Sequence, residues 1–172
     1  MEKNIKLEEM EYKERRGEYP VLSFGEHKGR HFFIVSVGGE WPAAYVETKP
    51  GEPDDYSLLD EMLEERRYPH GGLTYGPENL LRLKKSLEGQ GVSDEILNLK
   101  YWGWDYGHVC DYCTWMDKYE EPEAFQFCYD TDIIPQKHTV DEIYENDVIP
   151  FIDLLEEKFP ESAETKEEKS SD

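Results

Sequence analysis

Apolar and polar positions alternate along this chain in short blocks. Tyr19-Pro20-Val21-Leu22-Ser23-Phe24 is a brief β-type run that Gly25 should stop. The next block, His31-Phe32-Phe33-Ile34-Val35-Ser36-Val37, is aromatic or β-branched at nearly every position. It predicts a central strand covered on both faces. Gly38-Gly39-Glu40 reads as a hairpin turn into a third strand over residues 42–47. Beyond the loop Lys49-Pro50-Gly51-Glu52-Pro53, Asp54 or Asp55 can cap a helix over residues 56–66, with Leu58, Leu59, Met62 and Leu63 on one face.

Leu73-Thr74-Tyr75 predicts a short strand. Pro77 suits the first turn of a helix running through Leu80, Leu81, Leu83 and Leu87 toward Gly89. Ser93-Asp94-Glu95 starts a brief turn. From Lys100 the period becomes two, so Trp102, Trp104 and Tyr106 share one strand face while Tyr101, Gly103 and Asp105 share the other. Gly107 ends that strand and leaves His108, Cys110 and Asp111 on the turn that follows. Residues 124–129 are a weaker strand or helix candidate. Thr139-Val140-Asp141-Glu142 is a capping-box pattern for a closing helix through Ile143, Val148, Ile152 and Leu155, which Pro150 should kink.

Together these elements predict an α+β fold: one domain over residues 19–159, a mostly antiparallel sheet of about four to six strands, and helices packed on one face. Residues 1–18 read as a charged lead-in with helical tendency around Ile5, Leu7 and Met10. Residues 160–172 read as a disordered acidic tail.

Composition sharpens this picture. Only 37% of the 172 residues are hydrophobic, yet 13% are aromatic, and rings bury enough area each to build a core from few residues. The net charge is −21, from 40 acidic against 19 basic side chains. Such a surface repels phosphate backbones and argues against direct nucleic-acid binding. It would suit a basic host protein, including one whose nucleic-acid groove it could fill, although acidic surfaces commonly serve solubility alone. The opening residues carry no apolar signal region, and no run approaches the roughly 18 apolar residues of a membrane span. Three cysteines, an odd number, argue against a disulfide scaffold. A cytoplasmic protein without a membrane segment is expected.

Candidate chemistry concentrates in residues 101–113 and in His70-Gly71-Gly72. The first stretch holds two of four tryptophans, two of three cysteines and one of five histidines. His70, Asp105, His108 and Asp111 would offer two imidazoles and two carboxylates, a donor mixture suited to zinc, manganese or iron with a position left for water. Asp105 and His108 are the candidate acid/base groups. A water activated by a divalent metal is a hydrolytic nucleophile, and a small phosphorylated or nucleotide-like substrate would fit that chemistry. The plainer reading is an aspartate that caps the next turn and a histidine that packs among rings. Gly71, Gly72, Gly103 and Gly107 favour the site reading, because they imply unusual backbone at both places.

Other motifs weigh less. Cys110 and Cys113 form one CxxC, whose completion as a zinc site would need Cys128 and His138, so these cysteines read as half-buried packing thiols. His27 and His31 are isolated and more often structural. There is no GxSxG elbow, P-loop or dinucleotide fingerprint.

The segments His70-Gly71-Gly72-Leu73-Thr74-Tyr75 and Tyr101-Trp102-Gly103-Trp104-Asp105-Tyr106-Gly107-His108, followed by Asp111, resemble a family of small phage and mobile-element proteins. Its members carry HGG-[LI]-T-[YF] and a later W-x-G-F-D-x-x-H-x-x-D. The likeness extends over about residues 31–158, including Val35-Ser36-Val37, Trp41-Pro42, Tyr56 and the closing helix from Asp141. Tyr101 stands where the pattern has tryptophan, and Trp104 where it has phenylalanine. The resemblance implies a phage-like origin and singles out His70, Gly71, Gly72, Asp105, His108 and Asp111. It implies no reaction.

Overall fold

In a computed structural model the described residues are 19–38, 41–63, 69–108, 111 and 138–160. Strands β1 (Val21–His27), β2 (Arg30–Val37) and β3 (Trp41–Glu47) form an antiparallel meander. β4 (Tyr75–Glu78) and β5 (Tyr101–Asp105) complete one five-stranded sheet in the order β1-β2-β3-β5-β4, with every pairing antiparallel. This is the α+β domain that the sequence pattern predicts. Gly25 does not stop β1, which continues to His27 and turns at Lys28-Gly29, both at positive φ.

Alternation along the strands divides the core in two. On one face Phe32, Ile34, Ala44, Val46, Trp102 and Trp104 pack with Leu59, Leu63 and the C-terminal helical segment. The two longer helical segments thus share a face, as expected. On the other face Val21, Phe33, Val35, Ala43, Tyr45 and Tyr101 are closed by Leu80, Leu83, Leu87 and Leu97. These leucines come from short turns and not from one helix: 3-10 turns at Leu81–Leu83 and Lys85–Leu87, then the single turn α2 (Asp94–Leu97), capped by Ser93.

Pro77 opens no helix; it sits inside β4. β4 pairs only with β5, and an edge strand has one side on which a missing N–H costs nothing. α1 (Tyr56–Met62) is capped by Asp55, whose carboxylate accepts from the Ser57 N–H at 2.8 Å. Leu59 and Leu63 are buried, but Leu58 and Met62 are each 51% exposed. The sheet therefore takes only one of the two adjacent apolar stripes.

The closing helix begins with the expected capping box at Thr139 and Glu142. It runs as α3 (Val140–Ile143), a π turn over Tyr144–Val148, and α4 (Ile149–Lys158). The expected disturbance at Pro150 takes the form of this widened turn, which spares the proline ring a clash with the carbonyl four residues earlier.

At the start of β5 lies a buried ionic cluster. The Arg30 guanidinium, fully buried, meets Glu52 at 2.5 Å and Glu156 at 2.8 Å, and donates to the Glu47 carbonyl at 2.8 Å. Lys49 donates to Glu156 at 2.6 Å, and the Trp102 indole donates to Glu52 at 2.9 Å. Buried charges are tolerated only when paired in this way. No helix among the described residues is long and apolar enough to cross a membrane. The lead-in 1–18, the candidate element 124–129, the three cysteines, the Gly39-Glu40 part of the hairpin and the tail beyond residue 160 lie outside the described residues.

Candidate metal centre

Beyond the far end of β5, three of the five histidines turn toward one carboxylate. After Asp105 the backbone continues alongside β3, with the Tyr106 N–H donating to the Pro42 carbonyl at 3.0 Å. The chain then doubles back. Asp111 N–H donates to the His108 carbonyl at 3.0 Å, and the Asp111 Oδ2 accepts from the His108 N–H at 3.0 Å. His108 Nδ1 lies 3.0 Å from the same oxygen.

His70 arrives from the loop before β4. A turn closed by Gly72 N–H to the Pro69 carbonyl at 2.6 Å leads to Thr74, whose N–H donates to Gly103 of β5 at 2.9 Å. Asp60 of α1 accepts from the Leu73 N–H at 3.2 Å and holds the loop from behind. His70 Nε2 thereby sits 3.0 Å from each Asp111 oxygen. Gly71 has φ +75°, and a Cβ there would lie 2.8 Å from the His108 ring, so any side chain at this position would strain the backbone and push His108 aside. Gly107 is also closely packed: a Cβ there would press on the Trp41 ring at 2.9 Å.

His138 comes from the residue before the Thr139 cap, and its Nε2 lies 2.9 Å from Asp111 Oδ1. Tyr106 forms the floor. Its ring stacks on His70 at 4.4 Å and leans on His138 at 4.8 Å. Its hydroxyl accepts from the Trp104 indole at 3.0 Å and donates to Asp147 in the π turn. Burial and the neighbouring Asp147 charge push the Tyr106 phenol well above its ordinary pKa, so it stays a donor. The site is buried at Asp111, half-buried at His70 and open at His108.

The electrostatics favour a positive charge here. Burial alone would raise the Asp111 pKa, but hydrogen bonds from His138, His70 and the His108 backbone hold the carboxyl far below its usual range. His70 is shifted upward, first by its bond to Asp111, against burial, and further by the charges of Asp111, Asp147 and Asp105. The negative charges that raise the His70 pKa would also attract a metal cation, which would have to displace any proton from the ligating nitrogen.

His70, His108 and Asp111 form a group that could hold a metal ion, their donor atoms all within 4.8 Å of one another. Tetrahedral ligands about 2.0–2.2 Å from zinc stand roughly 3.4 Å apart, so only small movements would be needed. Asp105, expected in the same set, is placed differently. Its carboxylate accepts from the Gly107 N–H at 2.9 Å and shapes the turn, acting on His70 only through its charge. His27 pairs with Asp153 at 3.0 Å, and His31 lies between Glu47 at 2.7 Å and Glu26 at 3.8 Å. The pattern-based reading considered His138 only as a partner of the cysteines, and missed its contact with Asp111 and the Tyr106–Asp147 link. The position of His138 against a helix cap, where backbone is fixed, was the available signal.

No family model, no curated protein and no solved structure matches the chain. Fold and geometry define the protein as far as this: a single α+β domain carrying a two-histidine, one-aspartate group that could hold a metal ion.

Proposed function

We propose that this protein binds one divalent transition-metal ion through His70, His108 and Asp111 and uses it for hydrolysis. One observation carries the reading: two imidazoles and a carboxylate from two separate segments, the loop at His70 and the turn of His108 and Asp111, converge on a half-open site in which the carboxylate is held ionised. Two nitrogens and one oxygen suit zinc or manganese and leave positions for water and substrate. Such an ion supplies Lewis acidity that makes water nucleophilic near neutral pH. His70 and His108 hold the ion, Tyr106 keeps the two inner rings in place, and the opening at His108 admits the substrate. Small phosphate esters and nucleotides are the substrate class we propose, since the ion would supply the positive charge that a −21 surface lacks. The phage or mobile-element origin suggested by residues 70–75 and 101–111 belongs to the same proposal.

Metal analysis of tag-free protein tests it. Wild type should carry close to one equivalent of zinc or manganese, and His70→Ala and His108→Ala should lose it. Adding metal at about 100 times its Kd should stabilise wild type by about 2.7 kcal/mol and neither variant. Loaded wild type should hydrolyse members of a phosphate-ester and nucleotide panel. A folded wild type with no metal and no metal-induced rise in Tm overturns the proposal, and the acidic surface would then point to a basic protein partner.

A further inference from the structure

The two oxygens of Asp111 have different neighbours. Oδ2 faces His108, through both its N–H and its Nδ1 at 3.0 Å. Oδ1 faces His138 Nε2 at 2.9 Å. His70 Nε2, at 3.0 Å from both, does not distinguish them. A carboxylate only accepts, so His138 Nε2 must carry the hydrogen in this contact. His138 also differs from the other two in burial: its side chain is 9% exposed against 28% for His70 and 39% for His108, and its ring packs against His70 and Tyr106. It stands behind the carboxylate, while His108 lies at the opening.

We infer that His138 is the positioning residue of the centre: by donating to Oδ1 it holds Asp111 so that Oδ2 alone joins His70 and His108 in binding a metal. This rests on the metal-binding reading above and adds to it the reason the carboxylate binds through one oxygen. A carboxylate free to rotate would offer both oxygens and occupy the position that a hydrolytic centre keeps for water. Supporting groups that orient ligands in this way typically contribute about 10–100-fold to metal affinity. His138 is fixed in turn by the capping box one residue later, so the C-terminal helix sets the orientation.

Cobalt(II) titration of the full chain, followed by its visible absorption, tests the assignment with two variants. His138→Phe keeps a ring against Tyr106 and His70 but removes the donor, whereas His138→Gln keeps an N–H donor and loses the ring. Phe should retain one equivalent of cobalt with about 10–100-fold weaker binding and an altered spectrum, and Gln should restore affinity and spectrum most of the way. Wild-type behaviour in the Phe variant would show that only packing matters and overturn the inference. Complete loss in both variants, as in His70→Ala, would make His138 a ligand and also overturn it. Absence of cobalt binding in wild type would instead remove the metal-binding reading, and the inference with it.

Discussion

At the scale of single residues, glycine at position 71 spares the His108 ring a clash. Gly71 combines positive φ with contact against the His108 ring. Gly71→Ala should cost about 1–2 kcal/mol from the left-handed backbone alone, and any part of that expressed as a displaced His108 weakens metal binding by roughly tenfold per 1.4 kcal/mol. Thermal unfolding and metal titration of the variant would read the two effects separately. The unusual backbone expected at both places is found at Gly71 and Gly72, which have positive φ, whereas Gly103 and Gly107 do not and serve close approach instead. What they approach was not legible in the sequence. The neighbours of Gly71, Gly103 and Gly107 are His108, Tyr45 and Trp41, rings that come from segments distant in sequence, Tyr45 through its pairing with Gly103. The choice between Asp105 and Asp111 was similarly hidden. Both precede or follow His108 by three residues, and only the path of the turn sends one carboxylate to the imidazoles and the other to its own backbone.

At the scale of elements, β5 was the most legible part of the chain, since its alternation of rings maps directly onto two buried faces. The capping box at Thr139 was equally plain, being a local exchange of two hydrogen bonds. The leucines of residues 80–87 misled because their spacing suits a helix, whereas each turn there needs only to drop a side chain onto the sheet. Nothing local announced that the π turn would carry Asp147 to Tyr106. That link joins the C-terminal helix to the strand bearing the site. Tyr106→Phe and Asp147→Ala should each destabilise the fold, and a double-mutant cycle by denaturant unfolding should give a coupling energy of about 1–2 kcal/mol. Additive effects would show that the contact contributes nothing beyond packing.

For the whole molecule, the ionic cluster around Arg30 ties the β2 start, the loop after β3 and α4 into one unit. Glu156 is the group whose titration should be visible. Burial would raise its pKa, but hydrogen bonds from Lys49 and Arg30 outweigh that and hold it below the ordinary 4.5. A depressed folded pKa means stabilisation that is complete above pH 4.5 and lost as pH falls through the folded value. Glu156→Gln should therefore cost about 2 kcal/mol at pH 7, and the gap from wild type should narrow below pH 4.5. Urea unfolding of both proteins at pH 7 and in mild acid would measure it, and an unchanged gap would contradict the assignment. This cluster was not legible: Arg30, Lys49, Glu52 and Glu156 look like ordinary surface charges in a chain with 59 of them.

β5 is held at both ends, by the Trp102 indole on Glu52 and by the turn that carries His108 and Asp111. A slip of one residue would swap its two faces and release both ends at once. Five residues at about 3.4 Å each make a span of roughly 17 Å, so the strand works as a ruler between an ionic anchor and a histidine cluster. Substitutions that leave β5 in register therefore keep the distance between anchor and cluster constant.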